Sequence, residues 1–152
     1  MLSAWRIVRE KHAAMAFSGE GAAEFGGRWN LPGVRVAYTS GSQALAALEL
    51  LVHLNPPVPF TYKVIRIQFD ESLVDQILPA ALPPDWTVEP PSLSTQRIGS
   101  RWAQEFRSAV LAVPSTIIAS ETNYLVNPIH PDFQKIKLSP PQSFAFDRRL
   151  IQ

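Results

Sequence analysis

Apolar and basic residues alternate in Ala4-Trp5-Arg6-Ile7-Val8-Arg9, so residues 4–9 read as a first strand, with Trp5 and Ile7 to one side and Arg6 and Arg9 exposed or facing a cleft. Residues 12–17 follow as a loop or short helical turn, and Ser18-Gly19-Glu20-Gly21 is turn-forming. A second strand spans 34–39 and ends at Ser40-Gly41. Ser42 then caps a helix to about residue 54, in which Ala44, Leu45, Leu48, Leu51 and Val52 repeat at helical spacing before Asn55-Pro56 stops it. That helix is apolar almost all round, which predicts burial. The period-two run 62–69 is the clearest strand; 70–72 opens a short helix over 73–78, and 79–91 is loop. Ser94-Thr95 caps a helix to about 106, with Ile98, Trp102 and Phe106 as core residues four apart. Residues 109–115 and 116–119 read as buried strands broken at Pro114-Ser115, 121–131 as a polar and aromatic loop, and 143–150 as a final strand.

Composition narrows the class. A chain of 152 residues, 46% hydrophobic, suits one domain able to bury about two thirds of its unfolded surface. Only 18% of residues are charged, below the usual figure of about 25%, which is consistent with a face covered by a partner. The net charge of +1 gives no electrostatic case for direct nucleic-acid or membrane binding. With no cysteine there is no disulfide or thiolate chemistry, and no apolar run is long enough to span a bilayer, so a cytoplasmic location is expected. The 14 prolines cluster at 56–59, 79–91 and 128–141 as punctuation between short elements.

Candidate chemistry begins at Phe25-Gly26-Gly27-Arg28-Trp29-Asn30, where glycines that admit close approach precede a planar cation suited to phosphate. Arg6 is either a solvated strand residue or a second cation for the same pocket. Tyr38 is either a buried aromatic with a satisfied hydroxyl or a ligand-stacking ring. Glu49, a carboxylate on a greasy helix, must be paired or used, as a structural partner of an arginine or as a catalytic carboxylate. Ser115 sits at a strand break, where a serine bonding its own turn is the simplest alternative to a site role. His12, His53 and His130 have neither triad nor metal-ligand spacing, and no metal is expected.

Taken together, Trp5-Arg6-Ile7, Gly26-Gly27-Arg28-Trp29-Asn30, Tyr38, the helix bearing Glu49, Val113-Pro114-Ser115 and Asn123-Tyr124-Leu125-Val126-Asn127-Pro128 with His130-Pro131 resemble the RES domain, the toxin of bacterial RES–Xre toxin–antitoxin pairs, over nearly the whole chain. The resemblance implies an α+β fold similar to ADP-ribosyltransferases, with a small mixed sheet and flanking helices. It also implies attack on NAD as substrate rather than as recycled cofactor, by hydrolysis or by phosphorolysis with inorganic phosphate, or else transfer of ADP-ribose to a protein. On that basis Arg28, with Arg6, would hold the phosphates, Tyr38 would stack on a ring or orient the ribose, Glu49 would stabilise the cationic ribose, and Ser115, or alternatively Ser120, would bond ribose or nicotinamide. Gly27, Trp29, Asn123 and Asn127 of the matching motifs would complete the substrate contacts. The implied partner is an Xre-type helix-turn-helix antitoxin in an oligomeric complex. The rival is a non-enzymatic interaction domain in which Arg28 and Glu49 merely pair.

Overall fold

In the computed structural model, which describes residues 1–54 and 61–150, the alternating segments join one eight-stranded sheet. Its longest ladder runs between β1 (Leu2–Arg9) and β3 (Tyr62–Phe69), from Leu2 opposite Phe69 to Arg9 opposite Tyr62. On the other side of β1 come β2 (Ala37–Ser40), β6 (Thr122–Val126), β5 (Val110–Pro114) and β4 (Val74–Gln76), while β7 (Lys137–Leu138) and β8 (Gln142–Phe144) both pair with β3. Among the described residues the pairings are antiparallel except β4 with β5. Among the described residues three α-helices complete the expected mixed fold: α1 (Glu20–Phe25), α2 (Gln43–Leu51) and α3 (Leu93–Gln104).

Side-chain alternation assigns the packing. Ala4 and Val8 of β1, Ile65, Ile67 and Phe69 of β3, Ala37 of β2 and Val126 of β6 share one apolar cluster. The opposite face carries two others. Ile7, Tyr62 and Val64, with Trp5, pack under Ala46 and Leu50 of α2, while Leu111, Val113 and Leu125 pack with Trp29 and with Trp102 and Ala103 of α3. Trp5 pairs with Ser40 in the only registered pair between β1 and β2, which puts both clusters on the same face and leaves a gap between them.

Several expectations are corrected. Helix α2 is not buried all round: only Leu45 and Ala46 are buried, whereas Leu48 and Val52 face out, because the helix lies along the edge of that gap. The helix ends at Leu51, and the Asn55-Pro56 stop signal lies outside the described residues. Residues 74–78 are not helical. A 3-10 turn at Glu71–Leu73, capped by Asp70 Oδ1 accepting from Ser72 N–H at 2.8 Å, leads directly into β4. Residues 116–119 form the β5–β6 hairpin loop instead of a strand, because Ser115 Oγ accepts from the N–H groups of Ile117 and Ile118, at 3.0 and 3.1 Å, and takes donors a ladder would need. Conversely, residues 122–126, expected as loop, are a strand paired on both sides. Only Ala37 to Ser40 of the expected second strand pair, and the expected final strand is confined to β8, followed by a 3-10 turn at Arg148–Leu150. Helix α3 stops before Phe106, which takes a left-handed φ of 52° and is 46% exposed beside His130 instead of joining the core.

Candidate functional site

The gap between α2 and the α3 side of the sheet is a cleft of about 740 Å³, within the usual range for a small-molecule site, about 300–1,000 Å³. Helix α2 reaches it through Ala46, Glu49, Leu50 and His53, whose spacing puts them on one helical face. His53 is an exposed residue at this rim. Glu49 is half-buried, and its Oε1 accepts two hydrogen bonds, from Ser115 Oγ at 2.7 Å and from Asn123 Nδ2 at 2.8 Å. Asn123 is in turn fixed by Ser40 Oγ, which donates to its Oδ1 at 2.8 Å. Three strand-end residues thus orient one carboxylate, and among the described residues no ion pair joins Glu49 to an arginine.

The opposite wall is the turn after α1. Gly26, at φ 75°, ends that helix, and Gly27 N–H bonds Asn30 C=O at 3.0 Å to close the turn. A side chain at Gly27 would displace Tyr38, because a Cβ there would lie 2.7 Å from the Tyr38 hydroxyl oxygen. That hydroxyl accepts from Trp29 N–H at 3.1 Å and donates to Asn30 Oδ1 at 2.5 Å. Burial pushes its pKa well above the ordinary tyrosine value, against the opposing pull of the Trp29 N–H and the Arg28 charge, so Tyr38 stays neutral and can donate. Fully buried Asn30 spends its Nδ2 on the carbonyls of Ala22, Leu31 and Val34, tying α1, the turn and the approach to β2 together.

This turn delivers Arg28 into the cleft. Its Nη1 donates to the carbonyls of Trp86 and Val88, at 3.0 and 2.9 Å, and its Nη2 pairs with Glu89. Desolvation lowers the guanidinium pKa, and the negative charge of Glu49 opposes that shift in part. Arg28 therefore feels Glu49 across the cleft, but its ion-pair partner is Glu89, and the expected alternative of an Arg28–Glu49 pair does not form. Arg6 also borders the cleft. Burial pulls its pKa down to about 10, and its Nε and Nη1 hold the carbonyls of Ala16 and Tyr38, at 2.8 and 3.0 Å, where β1 and β2 diverge.

Arg28, Tyr38, Glu49, Gly27, Asn123 and Arg6 thus meet at one cleft. Trp29 borders it as well, whereas Ser115 and Asn127 do not. Ser115 is fully buried behind Glu49, so it positions the carboxylate and cannot itself bond a ligand; Ser120 is exposed in the hairpin loop. Trp29 is 3% exposed, with its side chain packed in the α3 cluster, so it supports the cleft floor. Asn127 is fully buried, donating from Nδ2 to Ala103 C=O at 3.0 Å and accepting from Ile129 N–H at 3.2 Å, which makes it a cap for the end of β6. The sequence reading did not anticipate Glu89, or Gln96, whose Nε2 donates to Gly27 C=O at 3.0 Å. Nothing in the proline-rich stretch marks Glu89, and Gln96 reads as an ordinary helix residue.

By architecture the chain shares its fold with a chain of a solved toxin–antitoxin complex. A chain of the solved M. tuberculosis MbcT–MbcA toxin–antitoxin complex superposes with a TM-score of 0.74 at 19% identity, over 95% of this chain and 84% of that one. Among sequence relatives, the "Prs ADP-ribosylating toxin" of Sphingobium sp. is 39% identical over 99% of this chain and 97% of its own length. A protein named "Toxin Res" from Yersinia enterocolitica is 37% identical over 96% and 97%. The RES domain model matches residues 3–147, and the chain belongs to the RES family.

Proposed function

We propose that this RES-family toxin breaks the bond between nicotinamide and ribose in NAD, with water or inorganic phosphate taking the ADP-ribosyl group. The observation that carries the reading is Glu49, held from behind by Ser115 and Asn123 so that its carboxylate meets a cleft whose other wall supplies Arg28. In this reaction the C–N bond parts heterolytically. Its electron pair leaves on the nicotinamide nitrogen, giving neutral nicotinamide, and the ribose becomes cationic at its anomeric carbon. A fixed carboxylate beside that ribose stabilises charge that exists only near the transition state, and Arg28 holds the pyrophosphate. Water then adds with loss of a proton to give ADP-ribose; phosphate gives ADP-ribose phosphate. Nicotinamide leaves without protonation, so a single carboxylate suffices, in contrast to glycosidases that need an acid as well. The partner that restrains such a toxin is proposed to be an antitoxin, as in the M. tuberculosis complex, and of Xre type on the family resemblance.

Transfer to a protein side chain is a second reading, favoured by the name of the Sphingobium relative. One experiment separates them: purified protein is incubated with NAD labelled in its adenylate half, with and without phosphate and with and without bacterial lysate. Free nicotinamide with labelled ADP-ribose or its phosphate is expected. Label fixed on protein supports transfer, and intact NAD in every arm refutes both.

A further inference from the structure

The cleft holds a second carboxylate that the proposed chemistry does not use. Glu89 borders it, pairs with Arg28 and is 67% exposed in its side chain, in contrast to the half-buried Glu49. Arg28 pairs with Glu89, and Glu49 on α2 borders the same cleft, so one cation and two carboxylates line one site. A dinucleotide likewise carries one pyrophosphate and two riboses. Resting on the NAD reading above, we infer that Glu89 accepts hydrogen bonds from the hydroxyls of the adenosine ribose and thereby selects NAD against its 2′-phosphorylated form.

Three features support this assignment. The Trp86 and Val88 carbonyls hold Arg28 on the same segment as Glu89, so the cation stays at the cleft wall when the carboxylate turns toward a sugar. Phe25 (79% exposed) and Pro90 border the cleft at its solvent end, and offer apolar surface to a base attached to that ribose. A carboxylate bonded to a vicinal diol is also the means by which other dinucleotide sites, built on a different fold, recognise an unphosphorylated ribose. A 2′-phosphate would set its charge against Glu89, a like-charge contact.

The test compares NAD and NADP turnover by wild-type protein, Glu89→Gln, Glu89→Asp and the distant surface control Asp147→Asn. Wild type is expected to favour NAD in kcat/KM by about tenfold or more. Glu89→Gln should cut that preference to about threefold or less, through KM, with kcat for NAD within about twofold of wild type. Glu89→Asp should keep most of the preference, and Asp147→Asn all of it. The inference is overturned if Glu89→Gln leaves the NAD/NADP ratio unchanged, or lowers both KM values equally, which would make Glu89 only a competitor for Arg28. If wild type consumes neither dinucleotide, calorimetry decides between the two claims. Tighter binding of ADP-ribose than of its 2′-phosphate, lost in Glu89→Gln, would keep the selection and reject the cleavage; equal binding of the two would reject the selection as well.

Discussion

Glu49 owes its orientation to Ser115 and Asn123, so the proposed chemistry should respond differently to the three residues. Glu49→Gln keeps the size and one acceptor oxygen of the side chain but removes the charge. Folding is expected to survive, and nicotinamide release to fall below detection; turnover by the folded variant would remove Glu49 from the chemistry. Ser115→Ala leaves two partly buried N–H groups and the carboxylate short of a partner, and is expected to cost about 1–3 kcal/mol in denaturant unfolding and to lower kcat while sparing KM. Ser120→Ala, at an exposed loop position, should change stability by less than about 0.5 kcal/mol. Equal losses for the two serines would contradict the geometry. Much of this site was legible in the sequence, since a lone acid on an apolar helix and an arginine after paired glycines are local anomalies that demand partners. The partners themselves were less legible. Ser115 and Asn123 lie 66 and 74 residues from Glu49, and Glu89 lies 61 from Arg28, so only the tertiary fold brings them together.

At the scale of elements, helix α3 and the Arg28 turn are held together by contact rather than by charge. Gly99 is the point of contact: a Cβ there would fall 1.8 Å from the Trp29 carbonyl oxygen, which is backbone and cannot turn aside. Ser100 Oγ, accepting from Leu31 N–H at 2.8 Å, fixes the same junction. Gly99→Ala, normally a gain in a helix, is therefore expected to destabilise by about 1–3 kcal/mol, as overpacking does. Gly21→Ala in α1 is the control. No atom lies within 4 Å of the added carbon, and a helical alanine should stabilise by about 0.5–1 kcal/mol. Thermal or denaturant melts of the two variants should shift in opposite directions. The elements that sequence periodicity revealed, β1, β3, α2 and most of α3, are those whose burial alternates or repeats over two turns or more. Strand β6 escaped because its polar positions, Thr122 and Asn123, face the site and the hairpin rather than solvent, and β4 escaped because it is three residues long and defined only by its parallel partner.

For the whole molecule, the cleft draws on β1, the turn after α1, β2, α2, the 89–91 segment, α3 and β6, so ligand binding touches elements from Trp5 to Asn123. All these elements pack on one sheet, and the central ladder joins residues 62–69 to the N-terminal strand, so no cut in sequence separates the Arg28 wall from the Glu49 wall. Unfolding is therefore expected to be a single cooperative transition, and a ligand bound at the cleft should stabilise all of it together. ADP-ribose at one hundred times its Kd would add about 2.7 kcal/mol, which for a chain of this length raises Tm by about 5–10 °C. Scanning calorimetry on Glu49→Gln, with and without ADP-ribose, checks this without turnover. One peak that moves as a unit is the expected result. Two peaks of which only one moves would mean that the two walls of the cleft belong to separately folding units, and the sheet would then no longer account for how Arg28 and Glu49 are held across from one another.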